Sequence, residues 1–224
     1  MAKLKDNMLF GFSDTITQEQ MEFLELMKLP TDQVRLIILE AEAGTGKTQM
    51  AAIAAKLRHA ELNSPLRYIF APVQEGKQGF LPGDIVEKSD PYTAPLAQAL
   101  NKIREKKVIY DPRLGEDHVG NRGCWVYTHP HTFERGKNYE GETVIIDEAQ
   151  NYTTHELVKI LTRCHDNSKV ILAGNTKQCD LEDPSSSGFA PFIIHSQGVP
   201  WVRKVNFTVN FRGELARWAD SIKR

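Results

Sequence analysis

Lys47 and Thr48 close the run Ala41-Glu42-Ala43-Gly44-Thr45-Gly46-Lys47-Thr48, and an ammonium and a hydroxyl directly after spaced glycines are the parts of a phosphate-binding loop. Glycines let the backbone curl until successive N–H groups face a β-phosphate, and the positive end of a following helix adds to the attraction. Lys47 is placed to bridge β- and γ-phosphates, and the Thr48 hydroxyl to meet Mg²⁺. Ala43, Gly44, Thr45, Gly46, Lys47, Thr48 and Gln49 are therefore the candidate nucleotide-binding residues, with ATP and Mg²⁺ as the implied ligands. Ala41 stands where the G-x-x-x-x-G-K-[ST] pattern has its first glycine, and a methyl group is small enough for the loop to close regardless.

A second constellation is Thr143-Val144-Ile145-Ile146-Asp147-Glu148-Ala149-Gln150, an apolar strand ending in two carboxylates. Open α/β sheets bind ligands at the carboxyl ends of their strands. Asp147 is expected to act on the Mg²⁺ shell, making Thr48 and Asp147 the candidate metal-side residues, and Glu148 to polarise an attacking water as general base. Alone, such an acidic pair reads equally well as a solvated strand end; beside the phosphate loop it points to hydrolysis. A third apolar run, 170–173, leads into Gly174-Asn175-Thr176-Lys177-Gln178, where Gln178 is either a γ-phosphate contact or a turn glutamine in water.

These residues need a scaffold that brings several strand ends together. Short apolar runs predict strands at 35–40, 68–71, 125–127, 144–147, 170–173 and 205–208, and three- and four-residue apolar spacing predicts helices at 18–27, 47–58, 95–104, 154–163 and 214–223. Alternation of the two predicts an α/β fold, a mostly parallel sheet with helices on both faces. Residues 74–92 and 110–123, rich in glycine, proline and charge, read as excursions from it.

A length of 224 residues suits one such domain spanning residues 1–224. Twenty-eight basic residues against 29 acidic ones give a formal charge of −1, so no global field selects a polyanion. Cys124, Cys164 and Cys179, odd in number and without Cys-x-x-Cys spacing, read as reduced and mostly buried rather than as a disulfide framework or zinc ribbon. His129 and His131 flank Pro130 with no cluster to complete a metal site and read as structural. No apolar run is long enough for a secretory signal or a membrane span, so the expected location is cytoplasmic.

Several stretches together resemble the PhoH-like family of ATPases, related to the ATP-binding half of superfamily 1 helicases. The most specific is Gly76-Lys77-Gln78-Gly79-Phe80-Leu81-Pro82-Gly83-Asp84, followed by Glu87-Lys88-Ser89-Asp90-Pro91-Tyr92 and Pro95-Leu96; further matches are Arg135-Gly136, Asp147-Glu148-Ala149-Gln150-Asn151, and Gly174 with Gln178 and Asp180-Leu181. The resemblance implies a RecA-like P-loop NTPase fold, ATP hydrolysis and assembly into a homo-oligomeric ring, by analogy a hexamer. Departures are Ala41, Ala71 where the family usually has arginine, and Asn175 where it usually has aspartate, which keeps hydrogen bonding but loses charge.

By the same resemblance Gln20, in Ile16-Thr17-Gln18-Glu19-Gln20, matches the glutamine with which such helicases read adenine, against an equally weighted plain exposed helical glutamine. Arg212, in Asn210-Phe211-Arg212, matches a γ-phosphate arginine, acting on its own nucleotide or a neighbour's; the competing role is capping or salt bridging. Lys77, Phe80, Lys88 and Tyr92 mix charge and aromatic surface that suits single-stranded RNA or DNA, or packing at a subunit interface. The leading expectation is an ATP-hydrolysing enzyme with catalytic residues Glu148, Asp147, Lys47, Gln178 and Arg212, coupled to RNA or single-stranded DNA. The alternative is a nucleotide-gated assembly module with negligible turnover; a small-molecule kinase, which needs no water base, ranks third.

Overall fold

In the computed structural model, residues 16–72, 85–133, 138–220 and 222 are described. The 76–84 run, Arg135 and Gly136 lie outside them. Six strands form one parallel sheet: β1 (Leu36–Ala41), β2 (Leu66–Phe70), β3 (Val126–Pro130), β4 (Thr143–Ile146), β5 (Lys169–Gly174) and β6 (Val202–Phe207). Their spatial order is β3-β2-β4-β5-β1-β6. The expected sheet is thus wholly rather than mostly parallel, a RecA-like P-loop architecture.

Strand side chains alternate between two cores, as the two-residue period of a pleated strand requires. Ile37, Leu39, Ile145, Ile171 and Ala173 face one core, and Leu36, Ile38, Val144, Ile146, Val170 and Leu172 face the other. Both cores are covered, which explains why the central strands read as continuous apolar runs. On the first face lie α1 (Gln18–Lys28), α2 (Lys47–Leu62) and α3 (Ile85–Lys102), through Phe23, Leu24, Ile53 and Leu100 among others. On the second lie α4 (Thr154–Leu161) and α5 (Phe189–His195), through Leu157, Ile160 and Phe189. Truncating a buried residue such as Ile38 to alanine in such a core costs on the order of 2–5 kcal/mol.

Local signals fix several helix starts. Thr17 and Thr153 each cap their helix with a reciprocal capping box, closed by Gln20 and Glu156. The last helix, α6, spans Glu214–Asp220. Two elements depart from expectation. Residues 85–92, read as part of an excursion, are the first turns of α3, which holds Pro91 and Pro95 in its interior. Proline there removes a backbone donor, but packing offsets the loss: the Tyr92 ring stacks on Phe70 with centroids 5.5 Å apart. The short α5 carries a proline in its first turn and only seven residues, too few for a periodic pattern.

Cys124, Cys164 and Cys179 are reduced, forming no disulfide, and are half-buried rather than mostly buried. His129 and His131 meet protein partners, Arg67 NH1 at 2.7 Å and Glu156 Oε1 at 3.0 Å. No helix among the described residues is long and apolar enough to cross a membrane.

Candidate nucleotide site

β5 lies between β1 and β4, so the loop leaving β1 and the acidic pair leaving β4 flank the carboxyl end of β5. The loop turns where glycine is needed: Gly44 and Gly46 both have φ of 82°, a left-handed backbone that a Cβ disfavours. Ala41 is still inside β1, paired with Phe207 and 2% exposed, so the absent first glycine falls at a position with no left-handed turn. Thr45 Oγ1 donates to Glu42 O at 2.8 Å, and Gly46 caps α2 with Lys47 as its first residue.

Across the sheet top, the two motifs meet through side chains. Lys47 Nζ lies 2.7 Å from Glu148 Oε1, and Thr48 Oγ1 donates to Asp147 Oδ2 at 3.1 Å. Asp147 is 4% exposed; its other oxygen accepts from Glu148 N at 3.0 Å, and Oδ2 also accepts from Tyr68 OH at 2.8 Å. Burial raises the Asp147 pKa, and the neighbouring Glu148 charge raises it further, against the pull of Lys47, the Tyr68 hydroxyl and the Glu148 N–H. Tyr68 is pushed well above its ordinary value, by burial first and by Asp147 next.

Glu148 has φ 51° and ψ 48°, left-handed for a residue with a side chain, at a cost on the order of 1–3 kcal/mol. The bend sends its carboxylate back to Lys47 and leaves the side chain 46% exposed. Oε2 of Glu148 accepts from Gln150 Nε2 at 2.6 Å, and Gln150 Oε1 accepts from Asn175 N at 3.0 Å. Asn175 is 3% exposed, and its own Oδ1 accepts from Lys177 N at 3.0 Å.

Lys47, Thr48, Asp147 and Glu148 are thus brought into one hydrogen-bonded cluster. Gln178 stands outside it, exposed on the turn after β5; the glutamine that reaches Glu148 is Gln150. Gln20 is buried rather than an exposed helical glutamine: Nε2 donates to Thr45 O at 3.0 Å and Oε1 accepts from Thr17 N at 3.1 Å, bracing the loop from below. Gln49 turns away to donate to Ala99 O of α3 at 3.2 Å. Arg212 lays its stem over the loop, since a Cβ on Gly44 would fall 2.5 Å from Arg212 Cγ, and Phe211 N donates to Gly44 O at 2.9 Å.

Two members of the cluster escaped sequence reasoning. Tyr68 sits in an apolar strand with no motif around it, and only the β2–β4 register, Tyr68 opposite Ile145, sets its hydroxyl at Asp147. Gln150 lies within the acidic motif, but its role depends on β5 being the neighbouring strand. Beyond Gln150 the surface opens into a cavity of about 470 Å³, lined among others by Thr176, Lys177, Cys179, Ser185 and Pro191.

Oxygen donors alone, a hydroxyl and a carboxylate, suit a hard divalent cation such as Mg²⁺, and the burial that raises the Asp147 pKa is the penalty a cation would relieve.

Comparison with known proteins bears on the fold and on the family. By fold, the chain is similar to the large terminase from the thermophilic bacteriophage D6E, with a TM-score of 0.61 at 14% identity over 93% of this chain and 50% of the terminase. A second structure of that terminase is in complex with ADP, with a TM-score of 0.58 at 14% identity over the same shares of both chains. The UvsW helicase from bacteriophage T4 follows with a TM-score of 0.54 at 12% identity, over 84% of this chain and 59% of the helicase. In sequence, a PhoH-like protein of Bacillus subtilis is 36% identical over 181 residues, 78% of this chain and 51% of that protein. Protein PhoH of Escherichia coli is 34% identical over 163 residues, 70% of this chain and 43% of that protein. The chain therefore spans about half the length of the curated relatives it matches. The family model for PhoH-like proteins matches residues 14–220, and the chain belongs to the PhoH-like family, with a P-loop NTPase fold.

Proposed function

We propose that this chain binds Mg-ATP on the loop from Ala43 to Gln49 and hydrolyses it to ADP and phosphate. The observation that carries the reading is the convergence of Lys47 on Glu148 at 2.7 Å and of Thr48 on Asp147 at 3.1 Å, two motifs 99 residues apart. A solvated strand end would have no reason to bury one carboxylate against the hydroxyl of a phosphate loop.

On this reading the loop N–H groups and the α2 N-terminus hold the β-phosphate, and Lys47 leaves Glu148 for the β- and γ-phosphate oxygens. Glu148 Oε1, released, accepts a proton from water as the water oxygen forms its bond to the γ-phosphorus. The bond from that phosphorus to the β–γ bridging oxygen breaks, its electron pair staying with ADP, and Glu148 passes the proton to solvent. Thr48 and Asp147 would hold Mg²⁺, which would neutralise charge on the phosphates. The Arg212 stem lies over Gly44 of its own chain, which supports a reading in which its guanidinium acts on the nucleotide in cis rather than on a neighbour's. Gln178, on the exposed turn, is the residue of this set with the least support from contacts.

The fold likeness to a helicase supports a coupled partner, single-stranded RNA or DNA. Ring assembly is the companion proposal, and the exposed apolar Phe211 and Leu215 beside Arg212 give it a surface. A second reading, nucleotide-gated assembly with negligible turnover, is favoured by Asn175, whose Oδ1 is spent on the Lys177 N–H and which brings no charge to the site. Phosphate release from Mg-ATP, with and without single-stranded RNA and DNA, separates them. Turnover raised by one nucleic acid supports the coupled ATPase; no release under any condition leaves the assembly module.

A further inference from the structure

Each carboxylate oxygen of Glu148 has its own partner, Oε1 the Lys47 ammonium at 2.7 Å and Oε2 the Gln150 amide at 2.6 Å. The far end of that amide is fixed as well, because Gln150 Oε1 accepts the Asn175 N–H at 3.0 Å. A backbone N–H only donates, so the amide carbonyl must face Asn175 and the NH₂ must face Glu148. Turned over, the amide would set oxygen against carboxylate and lose both bonds.

The surroundings support that placement. Gln150 is 2% exposed, and its own backbone carbonyl accepts from Cys179 Sγ at 3.3 Å. Glycine at 174 makes the room, since a Cβ there would lie 2.9 Å from Gln150 Oε1.

Resting on the reading of Glu148 as water-activating base, we infer that Gln150 is its positioning residue, holding Oε2 so that Oε1 faces the attacking water after Lys47 has moved to the phosphates. Before nucleotide binds, the carboxylate has two anchors. ATP draws Lys47 away, and a side chain 46% exposed with no anchor would spread over several rotamers. A hydrogen bond to an ionised acceptor is among the stronger kinds, and this one makes no demand on the phosphates, so it persists. Holding a base to within a fraction of an ångström is worth a large factor in rate. The same amide ties Glu148 to the backbone at Asn175, so a shift of the turn after β5 reaches the base through one side chain.

Two substitutions divide the roles. Gln150→Glu keeps the size and the acceptor for Asn175 but cannot donate to Glu148; Gln150→Met keeps the length and removes both. Steady-state hydrolysis, binding of a fluorescent ATP analogue and thermal melting are measured for each beside the wild type and Glu148→Gln. We expect kcat to fall at least tenfold in both variants. For Gln150→Met the analogue's Kd stays within threefold, and adding it to Glu148→Gln lowers the residual rate by less than twofold. A glutamine that only supports the fold would move Kd and melting temperature together with kcat, and that result overturns the inference, as does a kcat within threefold of wild type in Gln150→Glu. Should Gln150→Met not fold, Gln150→Glu decides alone. A wild type with no turnover above Glu148→Gln removes the hydrolysis reading and this inference with it.

Discussion

The ammonium of Lys47 and Oε1 of Glu148 are 2.7 Å apart, so a phosphate that takes Lys47 also releases the carboxylate. On the proposed reading, binding and activation are linked through one ion pair. In Glu148→Gln the phosphate no longer competes with a carboxylate for Lys47, and a negative charge beside the γ-phosphate is gone. ATP should bind this variant as tightly as wild type or up to several-fold tighter, whereas Lys47→Ala should weaken binding at least tenfold. Titration with a fluorescent ATP analogue measures both, and tenfold weaker binding by Glu148→Gln would contradict the linkage.

Ala41 provides a test of why the loop tolerates its missing glycine. It is the last residue of β1, paired to Phe207, and glycine in a strand costs up to roughly 0.5–1 kcal/mol in chain entropy. Ala41→Gly should therefore lower the melting temperature slightly and bring no gain in ATP affinity. Gly44→Ala is the contrast: at φ 82°, with a Cβ 2.5 Å from Arg212 Cγ and 2.6 Å from Asn210 Oδ1, it should disturb the loop and lower ATP affinity. Calorimetric melting and analogue binding of the two variants report the difference.

Asp147 is a carboxyl whose pKa burial, then Glu148, raises. A carboxyl with a folded pKa above its unfolded one weakens the fold once pH exceeds the unfolded value, and the penalty lifts as pH falls through the carboxylate range. At neutral pH the penalty is present. Asp147→Asn should consequently melt at the same or a higher temperature than wild type without nucleotide at pH 7, while losing Mg-ATP hydrolysis. A clear drop in melting temperature would show that the carboxylate is a net stabiliser of the fold.

Lys169, fully buried at the start of β5, donates to the carbonyls of Leu29 and Val34, and burial, then the Arg58 charge, lowers its pKa to about 7. The unfolded chain holds that proton up to about pH 10.4. Stability from this group is therefore least below pH 7 and rises with pH from about 7 towards 10, because the unfolded state binds more protons there. Urea unfolding between pH 7 and 9.5 should show a positive slope that Lys169→Met reduces; an unchanged slope would mean that the lysine titrates normally.

How legible all this was varied with the physics behind each element. The β1 strand, the glycines at 44 and 46 and the start of α2 at Lys47 announce themselves because local chemistry determines them. Residues 85–92 did not, since proline and charge outweigh any helical period, and it is packing on Phe70 that holds Tyr92 in α3. Gln178 was the expected glutamine on a motif's word alone, while Gln150 meets Glu148 only because β5 runs beside β4 and presents the Asn175 N–H. Gln20 likewise reads as a surface residue from its helix and becomes buried only when α1 settles beneath Thr45.

The most direct test of hydrolysis at this site is single turnover: ATP labelled in the γ-phosphate is bound to excess protein, Mg²⁺ is added, and released phosphate is followed for wild type and Glu148→Gln. Conversion is expected in the wild type, with a rate about 10²–10⁴-fold lower in Glu148→Gln and ATP still bound. Equal rates in the two proteins would contradict this expectation, because then Glu148 is not the base that the convergence on Lys47 implies.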